Sequence, residues 1–284
     1  MRKISFVPLT LAMCAVLLFF SGGSPGLFAH EQPGVIRFGV YPYETARSVH
    51  SLYAPLAKRI EGKTGKKVEL VSAPDQKIFT EKAGEGGYDL ALVSPNAFFK
   101  IQAAGYHVIA RGEPPFHGAV IVRSDSGITA PGQLRGKKIA AIGKYSYGGY
   151  LFFRQELAAL GISPDRDVAF TLLDKVDSVI LSVVNKQYEA GVIRADTLNR
   201  PTFDQVRDKV RIISRSPEIP QFPFVVKDSM DPDTVRLIRE VLTALTPEKM
   251  ENRTILKSLQ VDRIVAAQDA DYETFRQVVK QAEQ

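Results

Sequence analysis

The sequence predicts an α/β fold in two lobes with a ligand cleft between them, and three observations predict it. Short apolar runs alternate with stretches of helical periodicity from residue 35 to residue 113. The alternation restarts at residue 137 and continues to residue 215. Between and after these blocks stand two apolar runs, FHGAVIVRSDSG at 116–127 and IPQFPFVVKDSM at 219–230, where the chain would enter and leave a second lobe. Connections are short, so the first lobe is expected to be an open, parallel-type sheet covered by helices, and the second block restarts the same alternation. The strand carboxyl ends of the two lobes would then face one another across the cleft.

The elements follow in order. Residues 35–40 form a strand that Tyr41, Pro42 and Tyr43 break at once. The next segment repeats apolar residues at helical spacing through Val49, Leu52, Tyr53, Leu56 and Ile60 and stops at Gly65. KKVELVSA is a second strand, IFTEKAGEGG a short helix with a glycine exit, YDLALVS a third strand, AFFKIQAAG a helix and YHVIARGE a strand. The second block reads KKIAAIG, a helix after KYSYGGY, DVAFTLL, a helix over VDSVILSVVNK, the strand YEAGVIR, a further helix candidate and KVRIISR. PDTVRLIREVLTAL is another helix, and VDRIVAAQDADYETFRQVVKQ one or two final helices packed on the first lobe. The expected lobes are 30–117 with 215–284, and 118–214.

Residues 1–29 read as a secretory signal: Arg2 and Lys3, an apolar core from Phe6 to Phe20 and a small, uncharged stretch ending at Ala29. The core is too short for a comfortable spanning helix. The single cysteine, Cys14, lies in that core, after an imperfect lipoprotein signal. The mature chain would have no cysteine, which excludes disulfides and thiolate metal sites and leaves stability to core size. The formal charge of +6 falls to +4 when Arg2 and Lys3 leave with the signal. No basic block interleaved with aromatics suggests a nucleic-acid partner.

Candidate binding residues cluster at expected strand ends. Tyr41 and Tyr43 in YPYE would flank a ligand or pack a turn. VSPN at 93–96 offers Ser94 and Asn96 at a helix start, either as oxyanion donors or as an ordinary cap. In KYSYGGY, Ser146 and the tyrosines, Tyr145, Tyr147 and Tyr150, bring hydroxyls, Gly148 and Gly149 permit close backbone approach, and Lys144 adds charge if it turns inward. Asp177 starts the VDSVILSVVNK helix as cap or ligand contact, and Glu189 sits charged inside a strand-like run. Arg194 would pair with Glu189 or grip a ligand carboxylate or phosphonate.

Enzymes find less support. GxxxxGK[ST], GxGxxG and GxSxG are absent. His30, His50, His107 and His117 form no metal-binding arrangement, so no metal, cofactor or catalytic residue is expected.

Taken together, FGVYPYET, APLAKRIEGKTGKKVELVSAPD, YDLALVSPNAF, VIVRSDSGITAPGQLRGKKIA, YGGYLFFRQELAALGI and DADYE resemble the phosphate, phosphite and phosphonate substrate-binding proteins of bacterial ABC importers, over essentially the whole mature chain. The resemblance implies a two-lobed type II periplasmic-binding-protein fold that closes on a small oxyanion-bearing ligand and presents it to a permease. It implies no cofactor and no reaction. The match is uneven in the site. Where the family reads Ser-Thr-Ser-Gly, this chain has Ser146, Tyr147, Gly148 and Gly149; where phosphonate binders carry His-Glu, it has Val176 and Asp177. The acid of the next strand matches Glu189, an expected aromatic is Val93, and Ser94 is compatible. One hydroxyl fewer and a bulky phenol argue for a ligand other than plain phosphate, and Asp177 with Glu189 would suit a cationic amino group. A sensor protein read by a histidine kinase is the alternative, followed by a secreted hydrolase using Ser94 or Ser146 and a structural partner with an unused cleft. A monomer is expected.

Overall fold

Apolar side chains on alternate strand positions and on one stripe of each helix build the core of the protein, seen here in a computed structural model that describes residues 34–42, 46–173 and 175–282. The expected signal peptide and Tyr43 lie outside the described residues. In chain order the strands are β1 (Val35–Val40), β2 (Lys67–Val71), β3 (Leu90–Leu92), β4 (Tyr106–Glu113), β5 (Phe116–Arg123), β6 (Lys138–Ile142), β7 (Ala169–Leu173), β8 (Ala190–Arg194), β9 (Val210–Ile219), β10 (Pro223–Lys227) and β11 (Arg263–Ala266). The helices are α1 (Ala46–Thr64), α2 (Gln76–Gly84), α3 (Pro95–Ile101), α4 (Phe152–Ala159), α5 (Val176–Val184), α6 (Pro232–Thr243), α7 (Met250–Leu259) and α8 (Glu273–Ala282).

The strands form two sheets, ordered β11-β4-β10-β3-β1-β2 and β7-β6-β8-β5-β9. In the first, β1 pairs in parallel with β2 and β3, as the strand–helix alternation predicts. The expectation of parallel sheets fails where the chain returns from the second block. There β10 inserts antiparallel between β3 and β4, and β11 adds antiparallel to β4. The second sheet is mixed in the same way: β6 runs parallel to β7 and β8, while β5 lies antiparallel to β8 and β9. Strand β9 continues to Ile219, past the expected boundary at 214. Two short crossings, at 114–115 and 220–222, connect the sheets, and Gln221 Nε2 ties them by donating to the Pro114 carbonyl at 2.8 Å.

Each sheet has apolar cover on both faces. Phe38, Tyr53, Leu56 and Ile60 are fully buried where α1 covers the first sheet, and the fully buried Val179, Ile180 and Val183 of α5 cover the second. At roughly 25 cal/mol per Å² of apolar surface, each such side chain contributes about 1.5–3 kcal/mol of burial. Phe222, in the second crossing, packs against three of the core clusters and so joins them.

Three expectations change. VDRIVAAQDADYETFRQVVKQ opens with strand β11 before α8 begins. The helix candidate after β8 is instead three 3-10 turns, at Ala195–Asn199, Pro201–Phe203 and Arg207–Lys209, because Pro201 interrupts the helical ladder. Helix α8 buries Phe275 and Val279 in the cluster that holds Tyr147, Leu151 and Phe152 of the second block, so its apolar face is not confined to the first sheet. Among the described residues, no helix is long and apolar enough to cross a membrane.

Candidate functional site

Strands β1, β3, β6 and β8 all end toward one place, and a cavity of about 140 Å³ lies there between the two sheets. The direction of a parallel strand fixes which end of it can contribute, so residues just past each carboxyl end form the wall. Tyr41 follows β1, Ser94 and Asn96 follow β3, Ser146 to Gly149 follow β6, and Arg194 ends β8; all line the cavity.

From the first sheet, Tyr41 and Ser94 act together. Tyr41 is 5% exposed, and burial pushes its phenol up to about 12 although a hydrogen bond with the Ser94 side chain opposes the shift. The phenol therefore stays a neutral donor at physiological pH. Ser94 caps α3, its Oγ accepting from Ala97 N at 3.2 Å, so the cap reading and a lining position coexist. Helix α3 is only seven residues long, which leaves little aligned dipole to hold an anion.

The KYSYGGY turn runs into a π-helical turn, Tyr147–Leu151, that continues as α4. Ser146 caps it, with Oγ accepting from Gly149 N at 3.1 Å. The two glycines are accounted for by packing. A Cβ on Gly148 would sit 2.8 Å from Ile219 Cδ1, and one on Gly149 would sit 2.8 Å from Ser146 Oγ and 3.1 Å from Ile142 Cβ. Tyr147 is buried edge-on to Phe275, ring centroids 5.1 Å apart, and burial raises its phenol pKa. Across the cavity, Asn96 Nδ2 donates to the Tyr145 carbonyl at 2.7 Å, and Lys100 Nζ lies 3.6 Å from the centroid of the Tyr145 ring.

Among the described residues, the charged lining is two arginines. Arg194 lies over the Phe116 ring at 4.1 Å and is held by Asp196 through Nε and Nη2, both at 2.6 Å. Arg200 also lines the cavity, 3.6 Å from the Asp177 carboxylate, and its Nε donates at 2.8 Å to the Gln260 side-chain oxygen in the orientation its neighbours require. No carboxylate lines the cavity among the described residues.

Two candidate residues therefore stand apart from it. Asp177 is half-exposed and reaches the site only through Arg200. Glu189 precedes β8 and accepts from Lys138 N at 2.9 Å, at the amino-terminal edge of the sheet. Arg194, five residues on along an extended strand, is roughly 16 Å away, so Glu189 is paired neither with it nor with the cavity. Arg200 and Gln76, which the sequence did not single out, also line the site, as does Tyr145 of the KYSYGGY turn. Arg200 follows no motif, and only its position just before Pro201 marks the turn it sits on. Among the described residues, no group of three or more His, Cys, Asp or Glu could hold a metal.

The family model described as "ABC transporter, phosphonate, periplasmic substrate-binding protein" matches residues 38–272. The chain is 25% identical over 292 residues to the phosphate-import protein PhnD of Mycolicibacterium smegmatis, covering 97% of this chain and 84% of that protein. It is 24% identical over 211 residues to the tetrathionate sensor histidine kinase TtrS of Salmonella typhimurium, covering 69% of this chain but 36% of the kinase. Its fold superposes on PhnD1 of Prochlorococcus marinus, solved in complex with methylphosphonate, with a TM-score of 0.80 at 12% identity, over 89% of this chain and 99% of that one.

Proposed function

Because the chain belongs to the family of phosphonate periplasmic substrate-binding proteins of ABC transporters, we propose that it captures a small phosphonate-like oxyanion in the cavity between its sheets and delivers it to an ABC permease. Proteins of this kind bind and carry a ligand and catalyse no reaction. The observation that carries the reading is the chemistry of the wall: Arg194 and Arg200, the hydroxyls of Tyr41, Ser94 and Ser146, and no carboxylate among the described residues. Arginine forks and neutral hydroxyls suit charged oxygens, and the absence of a carboxylate spares the ligand from repulsion. With Asp177 and Glu189 outside the wall, the case for a cationic amino group on the ligand loses its support.

Size narrows the ligand further. A cavity of about 150 Å³ accepts a molecule about as large as benzene, so the 140 Å³ between the sheets suits an oxyanion with a small substituent. The choice of phosphonate over plain phosphate rests on the turn at 146–149, where Tyr147 is turned into the packing with Phe275 and the glycines bring no hydroxyl. The relative named for phosphate import argues the other way, and titration with inorganic phosphate decides it: micromolar binding would overturn the preference.

The signal-like leader supports export to the periplasm, and a monomer suits a diffusing carrier. Similarity to part of a sensor kinase supports a second reading, in which the closed form is read by a kinase. Uptake of labelled methylphosphonate by cells with and without the gene tests the first reading. Loss of uptake on deletion supports transport, and unchanged uptake with a lost transcriptional response supports sensing.

A further inference from the structure

Among the described residues, three buried side-chain polar atoms have no hydrogen-bond partner: Tyr88 Oη, Arg211 Nε and Asn96 Oδ1. Of these, only Asn96 belongs to a residue that lines the cavity, and it is 6% exposed. Its amide orientation is fixed from the other side. Nδ2 donates to the Tyr145 carbonyl at 2.7 Å, and a flipped amide would set two acceptors against each other at that distance. An amide oxygen only accepts, so this atom is satisfied by a group that brings a hydrogen.

The rest of the wall has the opposite character. Arg194 and Arg200 only donate, Ser146 has a hydroxyl hydrogen to give, and Tyr41 and Ser94, whose hydroxyls bond each other, leave one more for a charged oxygen. A wall rich in donors, in which the buried acceptor without a partner among the described residues is Asn96 Oδ1, fits an oxyanion that still carries a proton. On the reading that this cavity holds an oxyanion, we infer that Asn96 accepts a hydrogen bond from the bound ligand, which is therefore an acid retaining one O–H near neutral pH. Phosphonates meet that description. Sulfonates, with the same shape and no proton to give, do not.

The proton in question belongs to the ligand. Among the described residues, the charged and titratable groups that line the cavity with Asn96 or touch its partner Tyr145 are Tyr41 at the end of β1, Lys100 on its own helix, Lys144, Tyr145 and Tyr147 on the opposite turn, and Arg194 and Arg200. These are tyrosines, lysines and arginines, residue types whose ordinary titration falls outside pH 5–8. Charge alone would favour the dianion at high pH, so the donor requirement and simple attraction to the arginines give opposite slopes.

The test is calorimetric titration of the mature chain with methylphosphonate and with methanesulfonate, at about pH 6 and about pH 9, on either side of a phosphonate's second ionisation. The expected result is methylphosphonate at least about tenfold tighter than methanesulfonate, weakening at the higher pH. Asn96→Leu, checked for folding by circular dichroism, should lose most of that preference. Equal affinities for the two acids, phosphonate binding that strengthens with pH, or a folded Asn96→Leu chain that keeps its selectivity would each overturn the inference and leave the oxyanion site standing. Binding of neither acid would instead overturn the proposed function, and the inference with it. The comparison of the two acids and the pH profile need only the unaltered chain, so a variant that fails to fold does not block the decision.

Discussion

Ser146 does two jobs with one hydroxyl. Its oxygen accepts from Gly149 N, and its hydrogen is left to donate into the cavity it lines. Ser146→Ala should cost about 1 kcal/mol of stability through the lost cap and, by removing a donor from an enclosed site, weaken methylphosphonate by about tenfold to a hundredfold. Calorimetry beside a thermal melt separates the two effects; an unchanged affinity removes Ser146 from the site. Residues of this kind are legible in sequence because a hydroxyl directly after an apolar run marks a strand end. The acids were not legible. Asp177 and Glu189 stand out by charge, but a charge says nothing about which end of a strand it occupies, and Glu189 is at the far one. Arg200 stayed hidden because its place depends on a string of 3-10 turns rather than on a periodic element.

Between elements, contacts are close enough that single atoms matter. Strand β5 passes the 146–152 turn at Gly118, where a Cβ would lie 2.5 Å from the Gly148 carbonyl oxygen and 2.6 Å from Phe152 Cε1. Gly118→Ala should therefore destabilise by about 1–3 kcal/mol through overpacking, read as a lowered midpoint in urea. A midpoint equal to that of the unaltered chain would show that the turn can move aside. Strands β1 and β3 are clamped by Arg37 and Asp89, with Nη2 to Oδ1 at 3.0 Å and the Arg37 backbone N to Oδ2 at 2.8 Å. Burial pushes the Asp89 carboxyl up, but the hydrogen bonds and charge of Arg37, with Lys227, outweigh it and hold the group below the usual carboxylate range. A lowered pKa stabilises the fold above the unfolded value near 3.9, and that contribution is lost as pH falls through the folded value. Asp89→Asn should remove about 1.5–3 kcal/mol at neutral pH and flatten the acid limb of stability against pH; an acid limb of unchanged steepness would assign it to other carboxylates. The alternation of strands and helices was legible because each is long enough to show its period. Strand β11 is four residues long and shows none, and the antiparallel placing of β10 depends on a partner more than a hundred residues earlier in the chain.

For the whole molecule, the two crossings and the cavity between the sheets suggest how binding is coupled to shape. We propose that the sheets are lobes hinging at 114–115 and 220–222, and that a ligand touching Ser94 on one side and Ser146 on the other favours the closed form by its differential contacts. The contacts of Tyr145 with Asn96 and Lys100 add a clasp at the mouth. The two-lobed plan was visible in the restart of the alternation at residue 137. The covering of both blocks by α8 was not, because which core an amphipathic face joins is decided in three dimensions. Equilibrium dialysis of the folded mature chain against labelled methylphosphonate tests whether the cavity captures an oxyanion. Saturable retention of one ligand per chain is expected at micromolar concentration or below, displaced by excess unlabelled ligand. No retention up to millimolar ligand, from a chain shown to be folded, would contradict it.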